Sequence, residues 1–201
     1  MTAAEPDSPR KRELLEAAYA YVLGSGLADM SLRPLAKAIG SSPRVLLFLF
    51  GSKEGLIRAL LARMRENELR YLDELRDVRG GPGGLAPAGH EVWSWLTAPS
   101  HRALLALWVE GYARSLLGDP GPWAGFGRDT VQDWLELLAE RQPAARRDTQ
   151  AAEAERTLLL AVLRGAMLDL LATGDIDRVN HAVAHHLATA HPEQAVRQRP
   201  E

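Results

Sequence analysis

The sequence predicts an all-α protein, with an N-terminal three-helix helix-turn-helix domain followed by a larger helical domain. Three observations predict it. Residues 31–50 read as two short helices joined by a tight turn, with the cap of a third helix just beyond. Apolar residues recur at helical spacing through most of the chain. No stretch of useful length alternates apolar and polar residues as a strand would, and no internal repeat is present.

In chain order, the first helix carries Leu14, Ala18, Tyr21 and Val22 as its buried stripe, and Gly24 and Gly26 end it. Ser31 precedes Leu32, Leu35, Ala36 and Ile39, an i, i+3, i+4, i+7 stripe. Its hydroxyl is expected to cap the second helix, with Met30 packing on Leu35 as a staple and Pro34 tolerated in the first turn. Gly40 suits a left-handed position after that helix, and Ser42-Pro43 restarts the chain as N-cap and first helical residue. Gly51-Ser52 closes the third helix, and Ser52 caps a much longer one running from Lys53 through Leu56, Leu60 and Met64 to about Arg79. Alternating charges late in that run (Arg65, Glu66, Glu68, Arg70, Asp73, Glu74, Arg76) mark a solvated face.

The segment from Gly80 to Gly89, with five glycines and two prolines, is expected to be a flexible loop. Residues 104–117 are apolar nearly all round and predict a central buried helix, in which Glu110 and Arg114 stand one turn apart and can pair. Further breaks fall at Pro99, at Gly118-Asp-Pro-Gly-Pro122, at Gln142-Pro143 and at Thr173-Gly174-Asp175. Residues 155–172 form a long apolar helix with Leu158, Leu159, Val162, Ala166, Asp169 and Leu170 spread over more than one face. Ala161, Gly165 and Ala166 there permit close helix crossing, and a last helix covers about residues 177–190.

A tight turn between two such short helices lets one brace the other in the DNA major groove; the plain alternative is a helical hairpin that touches no DNA. With these residues in place the chain resembles the TetR family of bacterial transcriptional regulators. The resemblance starts at Arg12-Glu-Leu-Leu-Glu-Ala-Ala18 and Gly26. It continues through Ser31-Leu-Arg-Pro-Leu-Ala and Gly40-Ser-Ser-Pro, and closes on Phe50-Gly-Ser-Lys-Glu-Gly-Leu56. It covers the first quarter to third of the chain and is specific as a combination.

The resemblance implies a DNA-binding domain over residues 8–54 and an effector-binding and dimerisation domain over 55–201. It also implies a homodimer through the last two helices on a palindromic operator, released as a repressor by a small molecule. All five tryptophans lie beyond Gly89, and Trp108, Tyr112, Trp123 and Phe126 are the candidate lining of the ligand site. Aromatic residues at helical spacing serve equally as plain core.

The net charge of −2 divides unevenly. Residues 1–53 carry seven Lys/Arg against five Asp/Glu, and the remainder seventeen against twenty-one. A mildly basic N-terminal region beside an acidic one fits phosphate contact by the first. The absence of cysteine excludes disulfides, thiol nucleophiles and cysteine-ligated zinc. The longest apolar run, residues 103–109, is far short of the ~20 needed to span a bilayer. Residues 1–12 are polar and proline-broken, unlike a signal peptide, so a cytoplasmic protein without membrane contact is expected. No phosphate loop, nucleophile elbow or carboxylate pair stands out, so neither an enzyme nor a cofactor is expected. His181 and His185 have i, i+4 spacing but no third ligand in view, and no metal is expected.

Roles in the motif follow from side-chain chemistry. Arg44 can read guanine O6 and N7 in bidentate fashion; Lys53 can meet phosphate at the start of the long helix; Ser31, Arg33 and Ser42 can touch the backbone. Pro43, Val45, Leu47, Phe48 and Leu49 complete the candidate DNA face. Val45-Leu-Leu-Phe-Leu-Phe50 is apolar on every side, and only Leu46 and Phe50, one turn apart, belong together in the core. Three readings stay open. DNA contact persists with apolar contacts to thymine-rich steps; the leucines form a protein-binding patch on a TetR-like dimer that no longer reads DNA; or the helix is buried more deeply, shielded by Arg10, Lys11 and Arg12.

Overall fold

The computed structural model describes residues 8–27, 30–78, 83–117 and 121–190. The expected punctuation at residues 79–82 and 118–120 and the N-terminal residues 1–7 lie outside the described residues. Nine α-helices and two short 3-10 turns, with no strand, make up the described residues. The helices are α1 (Pro9–Ser25), α2 (Leu32–Ala38), α3 (Pro43–Phe50), α4 (Lys53–Val78), α5 (Leu85–Leu96), α6 (Arg102–Ser115), α7 (Phe126–Arg141), α8 (Gln150–Thr173) and α9 (Ile176–Ala190).

Four helix starts follow one chemical rule. Ser8, Ser42, Ser52 and Thr149 each accept, through the side-chain oxygen, the backbone N–H three residues on: Lys11, Val45, Gly55 and Ala152, at 3.0–3.3 Å. Ser31 occupies the same place before α2 with extended backbone, yet its hydroxyl makes no capping bond. The residue three positions on is Pro34, which has no N–H to donate. The expected cap is absent for that covalent reason, and the Ser31 hydroxyl stays uncommitted on an exposed residue.

Two compact units divide the chain: residues 1–68 with 103–128, and residues 69–102 with 129–201. In the first, Leu14, Ala18, Val22, Leu35, Leu46, Phe50, Leu56, Leu60 and Met64 share one core with Leu107, Trp123 and Phe126. Tyr19, not Tyr21, completes the buried face of α1. Residues of α4 claim it: Asn67 Nδ2 donates to the Tyr19 hydroxyl at 3.0 Å and the Arg63 guanidinium lies 5.4 Å from its ring centre. Arg63 also donates to Glu16, which raises the guanidinium pKa above its ordinary value.

In the second unit α5, α8 and α9 pack together. The glycine- and proline-rich segment does not stay a loop to residue 89, because α5 begins at Leu85. Pro87 falls in the first turn, where a missing N–H costs little, and Gly89 is buried. A Cβ at Gly89 would stand 2.6 Å from Leu187 Cδ2 and 3.2 Å from Leu159 Cδ1, so glycine serves close helix approach there. Gly84 N–H donates to the Arg141 carbonyl at 3.0 Å, and Gln142 Nε2 to the Ala152 carbonyl at 2.9 Å, which ties the C-terminal end of α7 to the starts of α5 and α8. Arg178 holds Asp169 through two bonds of 2.7 and 2.8 Å. These hydrogen bonds hold the Asp169 carboxyl below its usual range.

Helix α6 is less buried than its composition implies. Leu105, Leu107 and Gly111 are inside, but Leu116 and Leu117 beyond its end are exposed. The helix stops at Ser115, whose hydroxyl donates to the Tyr112 carbonyl at 2.7 Å and accepts the Gly127 N–H at 3.2 Å. Glu110 on α6 accepts the Leu27 N–H through Oε2 at 2.8 Å, so its carboxylate serves the end of α1 rather than only a neighbour one turn along.

Candidate functional site

The α2–turn–α3 corner is built by short-range chemistry. Gly40 takes φ +64°, the left-handed conformation that a side chain disfavours, and the Ser41 N–H returns to the Ala36 carbonyl at 2.8 Å. Ser42 and Pro43 then start α3 at once. Leu46 and Phe50 anchor α3 in the core, and Leu35 and Ala36 anchor α2.

Burial of Leu46 and Phe50 fixes what α3 presents. At about 100° per residue, Phe48 stands about 160° from each of them, and Arg44, one turn earlier, lies about 40° from Phe48. Phe48 is accordingly 85% exposed, Leu47 40% and Val45 38%, and Arg44 is exposed with them. Leu49 is half-buried against the core. The deeply buried, shielded arrangement of α3 is therefore not found: Lys11 lies 5.7 Å from the Phe50 ring centre, on the inner side, and leaves the outer face open.

Charge at this corner has one sign. Residues 30–53 contain Arg33, Lys37, Arg44 and Lys53 and no aspartate or glutamate, a net of +4. Ser31, Arg33, Lys37, Ser42 and Arg44 are exposed; Pro43 and Lys53 are half-buried. The first carboxylate after them is exposed Glu54 in the first turn of α4. Hydrogen bonds from its own backbone N–H and the Ser52 hydroxyl hold it below its usual range, where it complements the helix dipole.

The four candidate ligand-lining residues fall in the first unit. Trp123 and Phe126 are buried core members, and Trp108 and Tyr112 pack against that core, stacked on each other with centroids 4.9 Å apart. They thus share a hydrophobic cluster with the residues that anchor α2 and α3. A second aromatic group, not singled out by the sequence reading, forms in the other unit. Tyr71 stacks on Trp95 at 4.3 Å, with His101 4.5 Å from Trp95 and Trp134 6.2 Å from Tyr71. Burial raises the Tyr71 hydroxyl well above the ordinary phenol range. The tryptophan spacing gave no hint of it, because Tyr71 comes from α4 and Trp134 from α7. His181 and His185 are exposed on α9, and no described group of three His, Cys, Asp or Glu residues is placed to hold a metal ion. No described helix is long and apolar enough to cross a membrane.

This arrangement recurs in solved structures. A TetR-family member from Streptomyces coelicolor A3 superposes with a TM-score of 0.63 at 20% identity, over 89% of this chain and 98% of that one. The chain has the TetR fold. The transcriptional regulator FadR from Bacillus subtilis, solved with stearoyl-CoA, matches with a TM-score of 0.62 at 14% identity, over 89% and 98% of the two chains. NalD, the secondary repressor of the MexAB-OprM multidrug efflux pump in Pseudomonas aeruginosa, matches with a TM-score of 0.57 at 19% identity, over 92% and 96%. No protein-family model matches the sequence, and no curated protein matches it significantly. In the TetR fold, the corner of α2 and α3 is the N-terminal helix-turn-helix, and a helical C-terminal domain follows.

Proposed function

We propose that this protein is a dimeric, sequence-reading DNA-binding regulator, most simply a repressor that a small molecule releases from an inverted repeat. Residues 8–54 form its DNA-binding part and 55–201 its effector and dimerisation part. The observation that carries the reading is the outer face of α3. It is exposed, anchored from behind by buried Leu46 and Phe50, and set in a segment with four cations and no carboxylate. A polyanion is the partner that such a corner suits.

In this reading Arg44 reaches a base edge, Lys53 and Arg33 meet phosphates, and the uncommitted Ser31 hydroxyl and Ser42 add backbone contacts. Trp108, Tyr112, Trp123 and Phe126 line the effector site. Support comes from their place in the core that also anchors α2 and α3, and from the acyl-CoA complex of the B. subtilis neighbour. Double-stranded DNA, a small molecule and a second copy of the chain are the partners; no catalysis is assigned.

Exposed Val45, Leu47 and Phe48 favour a second reading, in which α3 binds a protein and no longer reads DNA. Selection from genomic fragments by the purified chain, repeated across salt concentrations, separates the two. Recovery of an inverted repeat whose affinity falls steeply with salt supports the regulator. A bound pool indistinguishable from the input removes it and leaves the protein partner.

A further inference from the structure

We infer that α3 selects DNA mainly through pyrimidine 5-methyl groups: Phe48, with Val45 and Leu47 beside it, packs on thymines in the major groove, and Arg44 supplies the one polar base contact. The inference rests on the DNA-binding reading and specifies the operator chemistry that this chain recognises.

The face centred on Phe48 has little hydrogen-bonding capacity of its own. Phe48 lies opposite the buried pair, Val45 is about 60° to one side and Leu47 about 100° to the other, and Arg44 is the sole polar side chain within that arc. The major groove offers donors, acceptors and one apolar group, the thymine methyl. A phenyl ring or leucine pressed against a carbonyl or amino edge would strip water from it and return no bond. Against a methyl, the same side chain buries apolar surface on both sides. Such a face therefore favours thymine, and cytosine only when it is 5-methylated.

Charge supports a nucleic-acid occupant over a protein one. Arg33, Lys37, Arg44 and Lys53 surround the apolar residues in the sequence, with no acid among residues 30–53. An apolar patch intended for a neutral protein groove gains nothing from that one-sided charge, whereas DNA meets it with phosphates on both sides of the groove.

The test compares two forms of one duplex. The full-length protein first selects its preferred sequence from a random duplex pool. That duplex is then remade with deoxyuridine for every thymidine in the half-sites, which deletes the methyls and leaves pairing and phosphates intact. A control duplex carries the same number of replacements in the flanks. We expect affinity for the half-site-substituted duplex to fall about fourfold per contacted methyl, the worth of one buried methyl group. The flank-substituted control should bind like the parent. Phe48→Ala, on a side chain largely outside the core, should discriminate the thymine from the uracil form clearly less than the unaltered protein does.

Equal binding of both forms by the unaltered protein, with an inverted repeat recovered, would overturn the methyl inference and leave the regulator standing. Discrimination that persists undiminished in the Phe48→Ala protein would overturn the assignment to this face. Failure to select any sequence would overturn both the inference and the reading beneath it.

Discussion

Arg44 and Lys53 carry the same charge and should fail differently when removed. Arg44 is exposed on the outer face of α3 and in the proposed reading meets a base edge, so Arg44→Ala should relax preference at one operator position. Lys53 opens α4 and in the proposed reading meets phosphate, so Lys53→Ala should weaken all sequences alike and lower the salt slope by about one. Binding isotherms on the selected duplex and its point variants, over a range of salt, would show the contrast. Indistinguishable profiles would mean that the division of labour is wrong. A second pair of like residues separates capping from contact. Ser42→Ala removes the partner of the Val45 N–H and should cost about 1 kcal/mol in urea unfolding. Ser31→Ala removes no cap and should stay within about 0.5 kcal/mol, while still weakening DNA binding if its hydroxyl meets phosphate. A large stability loss at Ser31 would show that its hydroxyl does cap α2 in solution.

Between α3 and α4 the chain turns so tightly that Gly55 has no space for a side chain. A Cβ there would run into the Phe50 carbonyl oxygen, which is backbone and cannot rotate aside. Gly55→Ala should therefore destabilise the corner by about 1–3 kcal/mol, although alanine is the better helix former. Denaturant unfolding would measure it, and a gain in stability would show that the corner relaxes freely. This contact gives a physical reason for the Phe50-Gly-Ser-Lys-Glu-Gly-Leu56 pattern on which the resemblance rests. The expected Ser31 cap is absent because Pro34 has no N–H to give, whereas the Ser42 and Ser52 caps and the turn at Gly40 were legible because they depend on residues three or four apart. The buried pair Leu46 and Phe50 was legible for the same reason. What covers the other sides of α3 was not, since six consecutive apolar residues define no stripe and only the fold shows that Phe48 is left open. Tyr19 was missed because Arg63 and Asn67, more than forty residues away, bury it. The start of α5 was missed because glycine and proline count against a helix locally. Leu159 and Leu187, which make Gly89 useful inside one, come from distant helices.

Dimerisation under the proposed reading should use the side of α8 that the described residues leave uncovered. Leu159, Leu160, Leu163 and Met167 are buried, whereas Leu158 and Leu168 are 56% and 48% exposed. Ala161, Gly165 and Ala172 are exposed too, and at about 100° per residue all five lie within about 80° of one another. An apolar stripe lined with small residues, unfilled by the described residues, suits a second copy related by a two-fold axis, which brings each stripe against its equivalent. Gly165 provides a clean probe, because a Cβ there meets nothing within 4 Å in the single chain. Gly165→Arg should leave the fold of each chain intact, yet place a bulky charge where two α8 helices would cross. Sedimentation should then report monomers, and operator affinity should fall by about a hundredfold or more. Each half-site would be bound without the effective concentration that a linked partner supplies. The half-sites themselves, read one helical turn of about 34 Å or a multiple apart, should each keep their preference for the same bases. A variant that stays dimeric and binds the inverted repeat unchanged would remove α8 from the interface.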